Sequence, residues 1–478
     1  MITSIKVCCL LLVVMCIQSA QIYMATNGND STGDGSIKKP YKTLMKCQEK
    51  ASSGDTVYIR GGTYTGFSIA STDTYYNYIH KFTKSGITYQ GYNNEKVIFD
   101  FEYDSTYKLN DGKATKRVSA FFVAKNVQNI TFSDFDVTRV PALTYDELVA
   151  MSSSKLTTQS ECFTSYGKNI HFNRINAYNN RAIGFYFVGT TSYNVAYRCD
   201  AYNNIGYDSA TLGNCDGFGA HGTGAEFIEC RAWDNSDDNY DCINSEGKNI
   251  FDTCWSFRLN LDTSNIQDGT GMKVGGFNKD PAAKNKNIPA HVVKNCITTM
   301  AKNNGFYSNH QPGKAATWFN NRAYNNGRAN FEMTEGSETW ELDSNGKVVD
   351  ICGTREVLFF NMAHKYNTGL KEIGSMYGKE GNLYSAQIPD ANNQYNSWNF
   401  RDITLSDDDF LSLDVNELAQ DRGSDGSLPS VNFMKLNPNG PNYEKLKTIE
   451  DELSNYDVTD EGAIVKKTSN YKIDLMSY

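Results

Sequence analysis

Five side chains in this sequence have the types and spacing to do chemistry together: Asp216, Asp237, Asp238, Asp241 and Lys273. Three of the carboxylates crowd into Asn235-Ser-Asp-Asp-Asn-Tyr-Asp241, and the lysine stands among glycines in Gly269-Thr-Gly-Met-Lys-Val-Gly-Gly276. Four carboxylates brought together repel one another unless a divalent cation neutralises them, and hard oxygen donors at this density suit Ca²⁺. A lysine beside such a cation feels a like charge, so its pKa falls and it can act as a neutral base. Cation and amine together are equipped to take a proton from carbon next to a carboxylate, the chemistry of a polyuronate lyase. Each part has a duller reading. Asp237-Asp238 alone is equally a solvated acidic turn, and a lone lysine is most often an exposed one.

Neighbouring residues of a strand face opposite ways, so Asp237 and Asp238 cannot both reach one ion from a regular strand. A corner after Asn235-Ser236 would allow it, with Asp241 a few residues along and Asp216 one coil below, at a strand spacing of about 5 Å. The sequence offers such coils. From about residue 120 to 335 a unit recurs, as in Asn169-Ile-His-Phe-Asn-Arg-Ile-Asn-Ala-Tyr-Asn-Asn180 and Asn194-Val-Ala-Tyr-Arg-Cys-Asp-Ala-Tyr-Asn-Asn204. Each unit is a short alternating strand, a polar corner, a second strand and an Asn-Asn turn, with no helical stretch between. Such strands wind as successive turns of a solenoid, each pairing in parallel with its equivalent one turn later. The expected fold is therefore all-β, a right-handed parallel β-helix. A β-propeller is the alternative, but it expects units of about forty residues. Asn203/Asn204 and Asn325/Asn326 should stack at equivalent corners, where asparagine tolerates a left-handed backbone. Cys199, Cys230, Cys254 and Cys296 hold equivalent inward positions, and a ladder of small buried side chains is preferred there to disulfides.

The ends differ from the middle. Pro40-Tyr-Lys-Thr-Leu44 and the amphipathic run to Lys50 predict a helix capping the first coil, covering an otherwise open end. The division expected is a secretory leader over 1–20 and one catalytic domain over 21–478. Within that domain the cap and first coil take 21–70, the clearest repeats 120–335, and the last coils, loops and an outer tail 336–478. The leader rests on Lys6, the apolar run Val7 to Ile17 and the small pair Ser19-Ala20, so the protein is expected to be secreted. No later segment is apolar enough to span a membrane. A formal charge of −9 argues against nucleic acid as a partner. Of 12 cysteines, Cys8, Cys9 and Cys16 belong to the leader, and the odd number remaining has no C-x-x-C pair to suggest zinc.

With these residues in view, the chain resembles the polysaccharide lyase family 9 pectate lyases. Cys215-Asp-Gly-Phe218, Asn235-Ser-Asp-Asp-Asn-Tyr-Asp241 and Gly271-Met-Lys-Val-Gly-Gly276 are similar, in order, to that family's calcium and base motifs. Asp409-Phe-Leu-Ser-Leu-Asp414 and Arg422-Gly-Ser-Asp-Gly-Ser-Leu-Pro429 are similar to its closing segment, and the opening Gly33-Asp-Gly-Ser36 is common to many secreted β-helices. The resemblance implies Asp216, Asp237, Asp238 and Asp241 as Ca²⁺ ligands and Lys273 as the proton-abstracting base. It implies an enzyme that cleaves polygalacturonate, the backbone of pectin, by β-elimination and leaves a 4,5-unsaturated galacturonate; a monomer is the default for a secreted depolymerase. Activity would then require calcium and rise into alkaline pH. Two positions depart from the pattern. Asn239 stands where the family usually has glycine, and asparagine also accepts a positive φ. His221 lies near a position where a more basic residue is expected, which bears on substrate contacts; it and His310 read as structural residues.

Rival readings stay open. A hydrolase of the same fold would use two or three carboxylates and water, but the polygalacturonase order, paired aspartates before Gly-His-Gly and Arg-Ile-Lys, is absent. A lyase on alginate or a glycosaminoglycan would show a similar base and metal. A non-catalytic carbohydrate-binding or adhesive β-helix would make Lys273 dispensable. Arg231, Arg258 and Lys302 could meet uronate carboxylates, although salt bridges are the preferred role for each.

Overall fold

The computed structural model describes residues 19–366 and 405–467, apart from 108–115, 145, 148–158, 190–192, 209–210, 259–267, 278, 313–315, 338 and 353–355. Of the leader expected over 1–20, only Ser19 and Ala20 fall within these residues.

Short alternating strands with no intervening helices stack in parallel, as the repeat requires. One ten-stranded sheet forms a single face of the coil. Its strands are β1 (Ser71–Thr72), β2 (Tyr76–Phe82), β3 (Arg117–Val123), β4 (Ser160–Ser165), β5 (Ala182–Val188), β6 (Phe218–His221), β7 (Tyr240–Cys242), β8 (Met272–Val274), β9 (Asn304–Tyr307) and β10 (Ala329–Glu332). All neighbours pair in parallel except the β1–β2 hairpin. A 19-stranded sheet wraps the remaining sides. It turns the corner because its strands bend at one residue with positive φ: Asp134, Arg174, Arg198, Glu229, Thr253, Asn295 and Asn320 in successive coils. The residue after each bend points inward, which puts Phe135, Ile175, Cys199, Cys230, Cys254 and Cys296 in one buried column. The expected cysteine ladder is present. Cys199, Cys230 and Cys254 each donate to a carbonyl one coil earlier, on Phe172, Ala196 and Phe227, at 3.1–3.2 Å. Cys199, Cys230, Cys254 and Cys296 are free and buried, as are Cys47, Cys162, Cys215 and Cys242.

A second column of bends, at Asn179, Asn203 and Asp234, precedes the ten-stranded sheet. The next residues form a buried amide ladder: Asn180 Nδ2 donates to Asn204 Oδ1, and Asn204 Nδ2 to Asn235 Oδ1, each at 2.9 Å. Asparagine suits this corner because its amide supplies the donor and acceptor that a backbone turning between coils leaves unmet. Inside the coil the rings of Phe121, Phe163, Phe185, Phe218 and Tyr240 stack with centroids 4.8–5.0 Å apart, close to the strand spacing.

Helix α1 (Leu44–Lys50) caps the first coil as expected, with Thr43 accepting from Lys46 N at 3.2 Å and Leu44 and Cys47 buried. The coil itself runs past the fading repeat, through strands Val357–Phe359 and Met362–Tyr366, where Asn361, next to the bend at Phe360, accepts from Asn321 Nδ2 at 2.9 Å and extends the column that holds Cys296. The tail over 405–467 lies on the outside. Its helix α2 (Tyr443–Leu453) buries Leu446, Ile449 and Leu453 in a second apolar cluster with Phe359, Phe360 and Met362.

Candidate functional site

The corner before the ten-stranded sheet carries the carboxylates. Asp216 precedes β6, Asp237 and Asp238 precede β7, and Asp268 precedes β8, so consecutive coils stack them. Backbone bonds hold these levels together: Asp237 N to Cys215 O at 3.2 Å, Gly217 N to Asp238 O at 3.1 Å, and Asn239 N to Thr270 O at 3.0 Å. The 235–239 turn is braced from within. Asn235 Nδ2 donates to Asn239 Oδ1, Asn239 Nδ2 donates to Ser256 Oγ, both at 2.9 Å, and buried Arg258 donates to the carbonyls of Asn235 (2.6 Å) and Asp237 (2.8 Å). The positive φ expected at Asn239 lies instead at Asp234. Asn239 is buried and committed to joining two coils, which a glycine could not do.

One oxygen each from Asp216, Asp237 and Asp238 lie within 4.8 Å of one another, and so do ligand atoms of Asp216, His221 and Asp241. The four aspartates therefore come together as two overlapping trios that share Asp216. His221, read from the sequence as structural, completes the second trio. Its signal was the period of two: Gly219 pairs with Asp241 in register, and His221 is two residues further along the same face. His221 Nε2 stands 3.6 Å from Asp241 Oδ2.

Lys273, central in β8, is the register partner of Asp241. Its Nζ is 2.5 Å from Asp238 Oδ2, 3.4 Å from Asp268 Oδ2 and 3.6 Å from Asp241 Oδ2. Asp268 was not anticipated; it is exposed and isolated in sequence, and only the coil geometry brings it here. A Cβ on Gly271 would lie 2.6 Å from the Gly305 carbonyl, and one on Gly276 would lie 1.7 Å from that of Asn309, so these glycines let the next coil pack.

Burial, reinforced by Asp237, Asp241 and Asp238, pushes the Asp216 carboxyl well above its usual range. Burial likewise raises Asp237 to about 6 and Asp238 to about 8, although Lys273 opposes both. Burial would lower Lys273, but Asp238 and Asp241 outweigh it and hold the ammonium well above the usual lysine value. The carboxylates around it thus hold the lysine as the ammonium, whereas the neutral amine expected from the sequence is the form favoured beside a divalent cation. The donor set suits a hard divalent cation. Among the described residues, Asp241 Oδ1 is a buried oxygen without a hydrogen bond, beside the equally unbonded His221 Nε2, while Asp238 Oδ2 meets the Lys273 ammonium.

Across the sheet, register aligns Tyr186, Gly219, Asp241, Lys273, Tyr307 and Glu332 in one row along the coil axis. Both arginines considered from the sequence are structural. Arg258 braces the acidic turn, and Arg231 is buried against Asp200 at 2.7 Å while donating to the carbonyls of Leu418 and Gln420.

The family model described as the Pel9A-like right-handed β-helix region matches residues 22–345. Pectate lyase L of Dickeya chrysanthemi is 26% identical over 430 residues, which cover 87% of this chain and 84% of that protein. A solved structure titled rhamnogalacturonan lyase is 30% identical and superposes with a TM-score of 0.70 over 89% of this chain and 98% of its own. The solved pectate lyase Pel9A, at 23% identity, shares the fold with a TM-score of 0.57 over 89% and 91% of the two chains.

Proposed function

The chain belongs to the Pel9A-like right-handed β-helix family and is a polysaccharide lyase; from that premise we propose that it is a secreted, calcium-dependent pectate lyase with Lys273 as its base. The observation that carries this reading is the position of Lys273 Nζ, 2.5 Å from Asp238 and paired in register with Asp241, inside the buried carboxylate nest. Asp216, Asp237, Asp238 and Asp241 would hold Ca²⁺. When bound, the ion would lend positive charge to a uronate carboxylate and make the proton on the adjacent C5 more acidic. Lys273 as the free amine takes that proton. The C–H electron pair forms the C4–C5 double bond as C4–O4 breaks, and the leaving oxygen takes a proton from water. The products are a new chain end and a 4,5-unsaturated uronate.

One observation favours a second substrate. The 30% identity and TM-score of 0.70 to a rhamnogalacturonan lyase suit a backbone in which galacturonate alternates with rhamnose, where the same proton is removed. Ultraviolet absorbance of the unsaturated product separates these readings. The protein is offered polygalacturonate, rhamnogalacturonan and alginate, each with calcium and then with chelator. A calcium-dependent rise on polygalacturonate that vanishes in Lys273→Ala supports the first reading, and a rise on rhamnogalacturonan alone supports the second. New reducing ends without absorbance would replace both with a hydrolase. No cleavage of any substrate would leave a binding protein.

A further inference from the structure

A second polar cleft, of about 760 Å³, opens on the same edge of the coil as the carboxylate nest, towards the N-terminal end. Tyr103, Arg139, Asp146, Asn179, Arg181 and Asn203 contribute to its walls. The corner backbone places it. Arg181 N donates to Val140 O at 2.9 Å, Ile205 N to Asn180 O at 2.8 Å, and Ser236 N to Asn204 O at 3.0 Å. Arg181 therefore stands two coils before the Asp237 turn, roughly 10 Å away at the strand spacing.

The two arginines are in different states. Arg139 is spent: its guanidinium grips Asp100 through two nitrogens, Nε at 2.7 Å and Nη2 at 2.5 Å. Arg181 lies over the Tyr103 ring, its guanidinium carbon 4.5 Å from the centroid, and makes no side-chain hydrogen bond or ion pair among the described residues. The ring is itself anchored, because the Tyr103 hydroxyl donates to the Asn179 carbonyl. A half-buried guanidinium stacked on a fixed ring has little freedom left to give up on binding, and it lines the cleft. Planar forks bind carboxylates through two parallel bonds, and the Asn179 and Asn203 amides beside it suit sugar hydroxyls. Asp146 on the rim disfavours a ligand with excess negative charge but not a single carboxylate per sugar. A volume of this size is in the range of sites that hold sugar-sized molecules.

We propose that this cleft is a remote subsite of the lyase, in which Arg181 binds the carboxylate of a uronate about two coils from the one that reacts. The inference rests on the uronate-lyase reading above. Remote contacts of this kind would hold the polymer in register with the nest and favour long chains over short ones.

Equilibrium binding to the Lys273→Ala protein, in calcium, tests the proposal without turnover. Hexagalacturonate and a rhamnogalacturonan hexasaccharide serve as probes, with a digalacturonate and a fully methyl-esterified hexagalacturonate as controls. Adding Arg181→Gln should weaken binding of the better charged hexasaccharide about 10- to 100-fold. Arg181→Lys should restore part of that loss, since it returns the charge without the planar fork. The digalacturonate, too short to span both sites, and the uncharged ester should bind both proteins alike. Equal affinity of the charged hexasaccharides with and without Arg181→Gln would overturn the subsite and leave the lyase reading standing. If Lys273→Ala binds no uronate oligosaccharide at all, the lyase reading itself falls and the subsite with it.

Discussion

At the scale of single residues, the site shows how burial turns ordinary side chains into a charged device. Asp238 and Lys273 are both buried, so neither is screened by water: burial raises the Asp238 carboxyl against the pull of Lys273, while Asp238 and Asp241 hold Lys273 as the ammonium. Arg258 sits outside the ligand set yet donates to two carbonyls of the turn that presents Asp237 and Asp238. Arg258→Leu should lower calcium affinity about 10-fold, because two buried acceptors lose a charged donor and the turn relaxes. Calorimetric titration with calcium checks this, and unchanged affinity would show that the turn holds its shape unaided. Asp268 supplies a converse prediction. It is the most exposed carboxylate near Lys273, its side chain 60% accessible, so Asp268→Asn should change stability by less than about 0.5 kcal/mol in urea unfolding.

At the scale of elements, the ladders do the positioning. Asn204 accepts from Asn180 and donates to both Asn235 and the Ala177 carbonyl, so it joins three coils just below the acidic turn. Asn204→Ala should cost about 2–4 kcal/mol in urea unfolding, since it leaves several buried polar groups unmet. In β4, Glu161 is fully buried and accepts from the Tyr76 hydroxyl at 2.9 Å. Burial raises its carboxyl from 4.5 to about 8. The folded state therefore keeps a proton that the unfolded chain has lost between pH 4.5 and about 8. Stability falls as pH climbs through that window, by up to ~1.4 kcal/mol per pH unit, and the loss is complete above it. Glu161→Gln should flatten this decline, which urea midpoints at pH 5, 6.5 and 8 would reveal; parallel curves for the two proteins would refute it.

At the scale of the whole molecule, a solenoid needs its ends and flanks covered, and this one uses α1 at the start and the 405–467 tail along one side. The tail is clipped by charge as well as apolar contact: Arg231 and Arg422 converge on buried Asp200, each at 2.7 Å. Arg231→Met should destabilise by about 3 kcal/mol, with Arg422 left to shield Asp200, and should make the tail an early target of limited proteolysis. Much of this architecture was legible in the chain itself. The repeat, the Asn-Asn corners, the inward cysteines and the capping helix follow from local rules, in which side-chain period and backbone preference decide the outcome. The acidic residues and Lys273 were legible as a set because carboxylate density and glycine-rich motifs survive in one dimension. What one dimension does not carry is lateral neighbourhood. The joining of His221 and Asp268 to the nest depends on strand register between coils, as does the stacking of Tyr103 under Arg181. The protonation of Lys273 depends on register too, for Coulomb energy in a buried site varies with distances that only the stacking of coils sets.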